Sequence, residues 1–566
     1  MTALHPARHD PPEGGDSRSP DGLPPERIPP KRPSPEGRSP DGRPSGELSP
    51  DGRDAPAASK RGPLPHAATT SPRIPFPLVD EISRHCLEDD EPETVHVEVH
   101  LPGRLDHERL RTAFHQALAR HPRVLMRQVP VRWWHRQYTW QLTPAPDVDP
   151  VVFPPPGPDA LARARARALT DCPPLDASPP LRLEVIDPPH AAPDDRPESP
   201  PLGTVLLLTI HHTALDGPAG LRILATAAEL YGGTHTSPPP PPTPTTAPTP
   251  PTPHHVSHPD RTNHLPLARP ARIAPTRPLP HQHTTGPPSE QPQQDLSTAN
   301  GSDSGSGSGS GSGSDTTKGN GVLLTDLPVP TRPPHPTGTR PPYTVNDQLL
   351  VATYLMTTRW NALHNRPAAP VVITMPIDDR PRGPQMPIGN GTRLTPVRFP
   401  PTTAPTTPGA QTVSRLLHHT ATHTQALKST PGPQLDWPAS LLTALPLPIG
   451  PRRALTRALR TLAAPWTPTT LLSNIGRIPY PLDFGPAAGR ATAVWFSAPA
   501  RMPRGLSVTT AATSDGDRIH LALRWSRTLL DDTAAARLLA LFRSSLAATA
   551  WPPPEGAGPP AAGDTP

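Results

Sequence analysis

The sequence predicts two mixed α/β lobes separated by a long insert with no core of its own. Three observations lead there. Short runs of apolar residues alternate with polar ones, as in strands. Other runs repeat every three or four positions, as in amphipathic helices. Proline, 97 of 566 residues against an average of about 5%, is gathered into a few segments. Only 33% of residues are hydrophobic, so a single uniformly packed core of this length is excluded.

Residues 1–71 are polar and proline-rich, and the tetrad Ser-Pro-Asp/Glu-Gly recurs at Ser19, Ser34, Ser39 and Ser49. That is turn chemistry without an apolar face to bury, and a disordered tail is expected. Residues 72–233 form the expected first lobe. Val95, Val97, Val99 and Leu101 alternate as a half-buried strand. Asp106 caps a helix whose Leu110, Phe114 and Leu118 share one face, and Pro122 stops it. Trp134, Tyr138 and Trp140 read as packing residues on one face of another strand. Val205–Ile210 is an unbroken apolar run, expected to be covered on both faces.

Residues 234–320 are read as a disordered insert. Ser237–Pro253 is nearly all proline and threonine, and Ser302–Ser314 alternates glycine with serine. Residues 321–551 form the second lobe. Thr344 and Asp347 make a capping-box start to the helix Val345–Trp360, and Val371–Ile377 is a buried strand. Two strands meet across Ser514-Asp515-Gly516-Asp517, with Ile519, Leu521, Leu523 and Trp525 alternating after it. A last helix opens near Asp532 with Leu538, Leu541, Phe542 and Leu546 on one side. Residues 552–566 are a second disordered tail.

The totals exclude further classes. A net charge of +5 is slight for this length and is not massed into a basic face, so no nucleic-acid partner is expected. Cys86 and Cys172 are too few for a disulfide framework or a four-thiolate zinc site. No apolar run approaches the ~20 residues that span a bilayer, and the N-terminus lacks a signal-peptide core. A soluble cytoplasmic protein without a membrane partner is the expectation.

One string is rare by chance in this composition: His211-His212-Thr213-Ala214-Leu215-Asp216-Gly217. It joins the apolar strand to a helix of about Pro218–Tyr231, stopped by Gly232-Gly233. A histidine at such a junction can face a cleft and, where it is neutral near pH 7, can take a proton from a hydroxyl or amine. Asp216 can fix loop shape or a distant arginine, and Gly217 permits a close backbone turn. A zinc site would need further ligands nearby. A serine triad would need a nucleophile elbow outside the Gly-Ser repeat. General-base catalysis by one histidine needs only what is present.

The string resembles the His-His-x-x-x-Asp-Gly signature of the condensation-domain acyltransferases, which include chloramphenicol acetyltransferase. The likeness extends to Arg120-His121-Pro122-Arg123-Val124-Leu125 (with a register change at its end), Pro174-Leu175-Asp176, Pro180-Leu181-Arg182 and Thr344-Val345-Asn346-Asp347. It continues in Met375-Pro376-Ile377-Asp378-Asp379-Arg380, Gly389-Asn390, Ser473-Asn474-Ile475-Gly476 and Leu506–Thr510. The resemblance implies two chloramphenicol-acetyltransferase-like lobes in a V-shape with a tunnel between them. It implies that His212, beside His211, is the general base. Asp216 with Gly217 is then structural, and Arg380 is its partner from the second lobe. Ser473 and Asn474 border the site. The implied co-substrate is an acyl thioester on coenzyme A or on the phosphopantetheine arm of an acyl or peptidyl carrier protein. A small-molecule hydroxyl or amine is the acceptor, with no bound cofactor and no metal, in specialised metabolism.

The insert departs from the family pattern. Asp483-Phe484-Gly485 lacks the Trp-Gly that follows it in the plant enzymes and reads as a structural turn. No adenylation or carrier-protein motif is present, so a free-standing protein is expected. A catalytically silent scaffold recruiting carrier proteins or tailoring enzymes is the alternative, and a proline-rich adaptor is a third reading.

Overall fold

Strand order, more than any local pattern, shows how the halves are joined. A computed structural model describes residues 72–87, 91–187, 203–233, 268–276, 318–336, 339–381, 386–402, 409–430, 432, 434, 447–513 and 516–551. The expected tails, most of the expected insert, and Ser514 and Asp515 of the expected hairpin turn lie outside these residues.

The first sheet has the order β12 (Ala493–Ser497), β2 (Thr94–His100), β7 (Val205–His211), β6 (Leu181–Ile186), β5 (Val151–Val152). The second has the order β10 (Thr392–Phe399), β9 (Val371–Asp378), β11 (Thr470–Arg477), β13 (Leu506–Ala512), β14 (Arg518–Ser526), β8 (Asn320–Pro328). A small third sheet places β4 (Thr139–Leu142) between β1 (Arg73–Pro75) and β3 (Met126–Gln128). The fold is mixed α/β, as expected.

The helices form where their caps and periodicity require. Asp106 accepts from Arg109 N at 2.7 Å to open α2 (His107–Arg120). Thr344 and Asp347 close a reciprocal capping box on α5 (Val345–Leu363). Asp531, one residue before the expected start, caps α9 (Asp532–Ala547), whose Leu538, Phe542 and Leu546 are buried. The other described α-helices are α1 (Leu78–His85), α3 (Ala160–Thr170), α4 (Gly217–Gly232), α6 (Ala410–Ser429), α7 (Ile449–Ala463) and the single turn α8 (Gly485–Ala488).

The structure corrects several expectations. β2 is buried on both faces, because its polar residues are covered as well. Glu98 is 3% exposed and held by Arg165 of α3 at 2.5 and 2.8 Å. Trp134 does not pack on a strand face: it lies in an exposed turn, while Trp140 is in β4 and buried. Residues 268–276, inside the expected disordered insert, are ordered against the second core. Ala271, Ile273 and Ala274 are buried there, and Trp360 Nε1 donates to the Ala274 carbonyl at 2.9 Å. The insert also gives Asn320 to β8. Finally, β12 comes from the second block but pairs antiparallel with β2, Val494 opposite Val99 and Phe496 opposite Val97. The first core therefore takes in Phe484, Val494 and Phe496 beside Phe114, Ile210 and Leu221.

Asp483-Phe484-Gly485 forms a turn: Gly485 N donates to Asp483 Oδ1 at 2.9 Å and Phe484 is buried.

Candidate active site

β7 delivers the histidine pair. Its last residue, His211, is buried opposite Thr94, and the next residue hangs on the neighbouring backbone, His212 N donating to the Glu93 carbonyl at 2.8 Å. Adjacent residues at a strand end point to opposite sides. His212 lines a cavity of about 490 Å³, and His211 lines a different one.

His212 Nδ1 lies 3.3 Å from the Leu215 carbonyl. A carbonyl only accepts, so the proton sits on Nδ1 and Nε2 keeps its lone pair. The ring is half-buried. Burial holds its pKa below the ordinary value, against the opposing pull of the Leu215 carbonyl and Asp216. His211 is pushed down to about 3, chiefly by burial, and its Nδ1 lies 3.2 Å from Thr213 N. Both rings are neutral near pH 7.

Asp216 does not face the imidazole as a proton partner. Its Oδ1 caps α4, accepting from Ala219 N at 3.1 Å. Its Oδ2 accepts from Arg380 Nη2 at 2.8 Å and from Gly391 N at 2.9 Å. Arg380 also grips Asp378 through Nε at 2.8 Å and the Gly389 carbonyl through Nη1 at 2.9 Å. Burial alone would lower the Arg380 pKa, but the Asp378 and Asp216 carboxylates more than offset it. This pair ties the helix behind the motif to the loop after β9. Gly217 has its own reason to be glycine: a Cβ there would lie 2.2 Å from the Phe496 ring of β12.

Ser473 and Asn474 sit on β11 and line the His212 cavity with Met375, Ile377 and Tyr480. Asn474 is tied in place, its Oδ1 accepting from Gly476 N at 2.8 Å and from Thr510 Oγ1 at 3.1 Å across a bulge. The cavity thus joins the motif from one sheet to strands of the other. Among the described residues, no group of three or more His, Cys, Asp or Glu side chains could hold a metal ion. No helix among them is long and apolar enough to cross a membrane.

Two residues of the site, Asp80 and Gly391, escaped the sequence reading, and the role of a third, Asn390, was not read from it. Asn390 Nδ2 donates to the His212 carbonyl at 3.1 Å, the Thr213 carbonyl at 2.9 Å and Asp80 Oδ1 at 2.9 Å. Asp80, on α1, is 4% exposed and its Oδ2 accepts from Trp140 Nε1 at 3.0 Å. Burial raises its pKa to about 6 in spite of the Asn390 and Trp140 hydrogen bonds. Gly391 matters for its size, since a Cβ there would lie 2.3 Å from Arg380. Gly389-Asn390 entered only through the family likeness, and nothing local marks Asp80 or Gly391.

Among solved structures, the condensation domain of the monacolin K polyketide synthase MokA superposes with a TM-score of 0.50 at 12% identity. The match covers 84% of this chain and 96% of that one. The fold is that of a condensation domain. The starter condensation domain of rhizomide synthetase RzmA, in a mutant complex with C8-CoA and Leu-SNAC, gives the same score at 13% identity. It covers 84% of this chain and 94% of that one. In sequence, the uncharacterized protein Rv2305 of Mycobacterium tuberculosis is 25% identical over 478 residues, covering 80% of this chain and 94% of its own length. No family model matches. On a condensation-domain fold, the histidine pair stands at the end of a central strand of one sheet, and strands of the other complete the wall before it.

Proposed function

We propose that this condensation-domain protein is an acyltransferase that moves an acyl group from a thioester to a hydroxyl or amine, with His212 as general base, in natural-product biosynthesis. The observation that carries the reading is the His212 ring: neutral, turned by the Leu215 carbonyl, and on the wall of a cavity large enough for a substrate. Nε2 takes the proton from the acceptor's O–H or N–H as that atom attacks the thioester carbonyl. Collapse of the tetrahedral intermediate breaks the C–S bond, and the proton passes from Nε2 to the departing sulfur. The products are an ester or amide and a free thiol. Ser473 and Asn474 bind the substrates, while Asp216 and Arg380 position the motif.

The donor is an acyl-CoA or a carrier-bound acyl thioester, a reading supported by the C8-CoA held by the RzmA neighbour. Incubation with both kinds of donor and a panel of amines and alcohols tests it, with His212→Ala as control. Acyl transfer that depends on His212 is expected. Binding of a carrier protein without transfer from any donor would favour a silent scaffold instead.

A further inference from the structure

Helix α7 is built inside out. Arg452, Arg453, Arg457 and Arg460 share one side of it, and Ala454, Leu455, Ala458, Leu459 and Leu462 share the other. A surface helix ordinarily turns such an apolar stripe to the core. Here the arginines turn inward. Arg452 lies 3.1 Å from Glu81. Arg457 donates to the His85 and Leu87 carbonyls, both at 3.1 Å, and Arg460 to the Cys86 and Met502 carbonyls, both at 2.9 Å. Thr456, buried among them, meets His85 Nδ1 at 3.2 Å. The end of α1 thereby gains donors for its free carbonyls, and cations suit that negative end of its dipole. Polar contacts thus fix how α7 is turned, and its apolar side is left in solvent. Leu459 is 39% exposed and Leu462 69%.

The apolar face continues past both ends of the helix. Of the eleven large apolar side chains exposed among the described residues, six lie on α7 or beside its ends: Trp133, Trp134, Leu447, Leu459, Leu462 and Trp466. Such clustering marks an interaction surface, where scattered single residues would not. The turn that carries Trp133 and Trp134 is bonded to the helix start: Gly450 N donates to the Trp133 carbonyl and Ile449 N to the His135 carbonyl, both at 2.8 Å. Trp466 stands in the short turn after the helix. Each end carries the same pairing, with Arg132 5.2 Å from the Trp134 ring centre and Arg269 5.4 Å from that of Trp466. The helix and its closing turn span about 25 Å. Residues 130–137, 268–276 and 447–466 contain no aspartate or glutamate.

Leucines flanked by indoles, with arginines at the rim and no acid, are the chemistry of a membrane interface. Aliphatic side chains enter the acyl boundary, indoles sit at headgroup level, and guanidiniums meet lipid phosphate. The face is a convex helix rather than a groove, which suits a lipid surface better than a peptide. We propose that α7 and its tryptophan-bearing ends dock this protein on a bilayer containing anionic lipid, the helix lying in the plane of the interface. The expectation of no membrane partner rests on the lack of a ~20-residue apolar run, which excludes a span and not an interfacial helix. The docking surface is independent of the acyl-transfer reading.

Flotation of the full-length protein with vesicles of phosphatidylglycerol and phosphatidylcholine, and with phosphatidylcholine alone, tests this. Partition onto the mixed vesicles should exceed that onto phosphatidylcholine by ~10-fold or more and fall as salt rises. The double variant Leu459→Gln/Leu462→Gln should weaken it by ~10-fold or more, and Trp134→Ala by several-fold. Leu363→Gln, at an exposed leucine that ends α5, should leave it unchanged. All these side chains already stand in solvent, so the core is untouched, which an unchanged thermal melt verifies. No partition onto either vesicle, equal partition onto both, or partition indifferent to the leucine and tryptophan variants would each overturn the proposal. A dimer in sedimentation equilibrium that the leucine variant dissolves, with vesicles ignored, would overturn it too, because the face would then pair two copies.

Discussion

Arg380 and Asp216 stand 2.8 Å apart, Nη2 to Oδ2, with side chains 9% and 4% exposed, although 164 residues separate them in sequence. Removing one member of a buried ion pair strands the other charge, at a cost of ~3–5 kcal/mol. Arg380→Ala should therefore lower unfolding free energy by about that amount. Arg380→Lys should recover only part of it, because an ammonium cannot reach Asp216, Asp378 and the Gly389 carbonyl together. Denaturant titration of the three proteins checks this.

Asn390 latches the backbone of the motif from below. Asn390→Ala removes the donor shared by the His212 and Thr213 carbonyls and Asp80. Unsatisfied buried groups should cost about 1–3 kcal/mol of stability. Transfer activity should fall by ~10-fold or more, through kcat rather than KM, because the backbone that carries the base has lost its anchor. Paired stability and steady-state measurements separate this from simple unfolding.

Acid should destabilise the fold with a predictable slope. Burial pushes His85 and His121 down to about 4, and His96 and His211 down to about 3. Below the ordinary histidine pKa of ~6.5 the unfolded chain therefore binds protons that the folded chain refuses. Stability rises with pH from about 4 to 6.5 and is lost on acidification. Asp80 works the other way. Its pKa is raised to about 6, so its contribution is complete below 3.8 and is lost as pH climbs through about 6. Burial raises Glu81 in the same direction. The histidines outnumber these two carboxyls, and melting temperature should fall between pH 6.5 and 4. Asp80→Asn should steepen that fall by up to one proton, about 1.4 kcal/mol per pH unit.

Gly217 is fixed by packing rather than by backbone conformation. Gly217→Ala drives a methyl into the Phe496 ring and should cost ~1–3 kcal/mol, with Phe496→Leu restoring part of the loss in the double variant. Thermal melts of the two single variants and the double variant measure the coupling directly.

Much of this was legible in the chain itself. Asp106 and the Thr344–Asp347 box start helices where their side chains can cap them, and Val205–Ile210 reads as a covered strand because it is one. What escaped depends on contacts between distant residues. β12 shows a strand's composition, but nothing local says that Phe496 pairs with Val97 rather than within its own sheet. Asp80 and Asn390 meet across 310 positions, each ordinary where it stands. Ala271, Ile273 and Ala274 are three apolar residues in a proline-rich stretch, and their burial depends on Trp360 and Asn361 of α5. Trp134 misled because an aromatic near a strand usually packs, whereas here it stands in solvent beside Trp133.

The central claim is that the His212 imidazole removes the acceptor's proton. The direct measurement is kcat/KM for acyl-thioester transfer in the wild type and in His212→Ala, with donor affinity measured alongside. A loss of about 10²–10⁴-fold with unchanged donor binding is predicted. Turnover within a few-fold of wild type in His212→Ala would contradict the account.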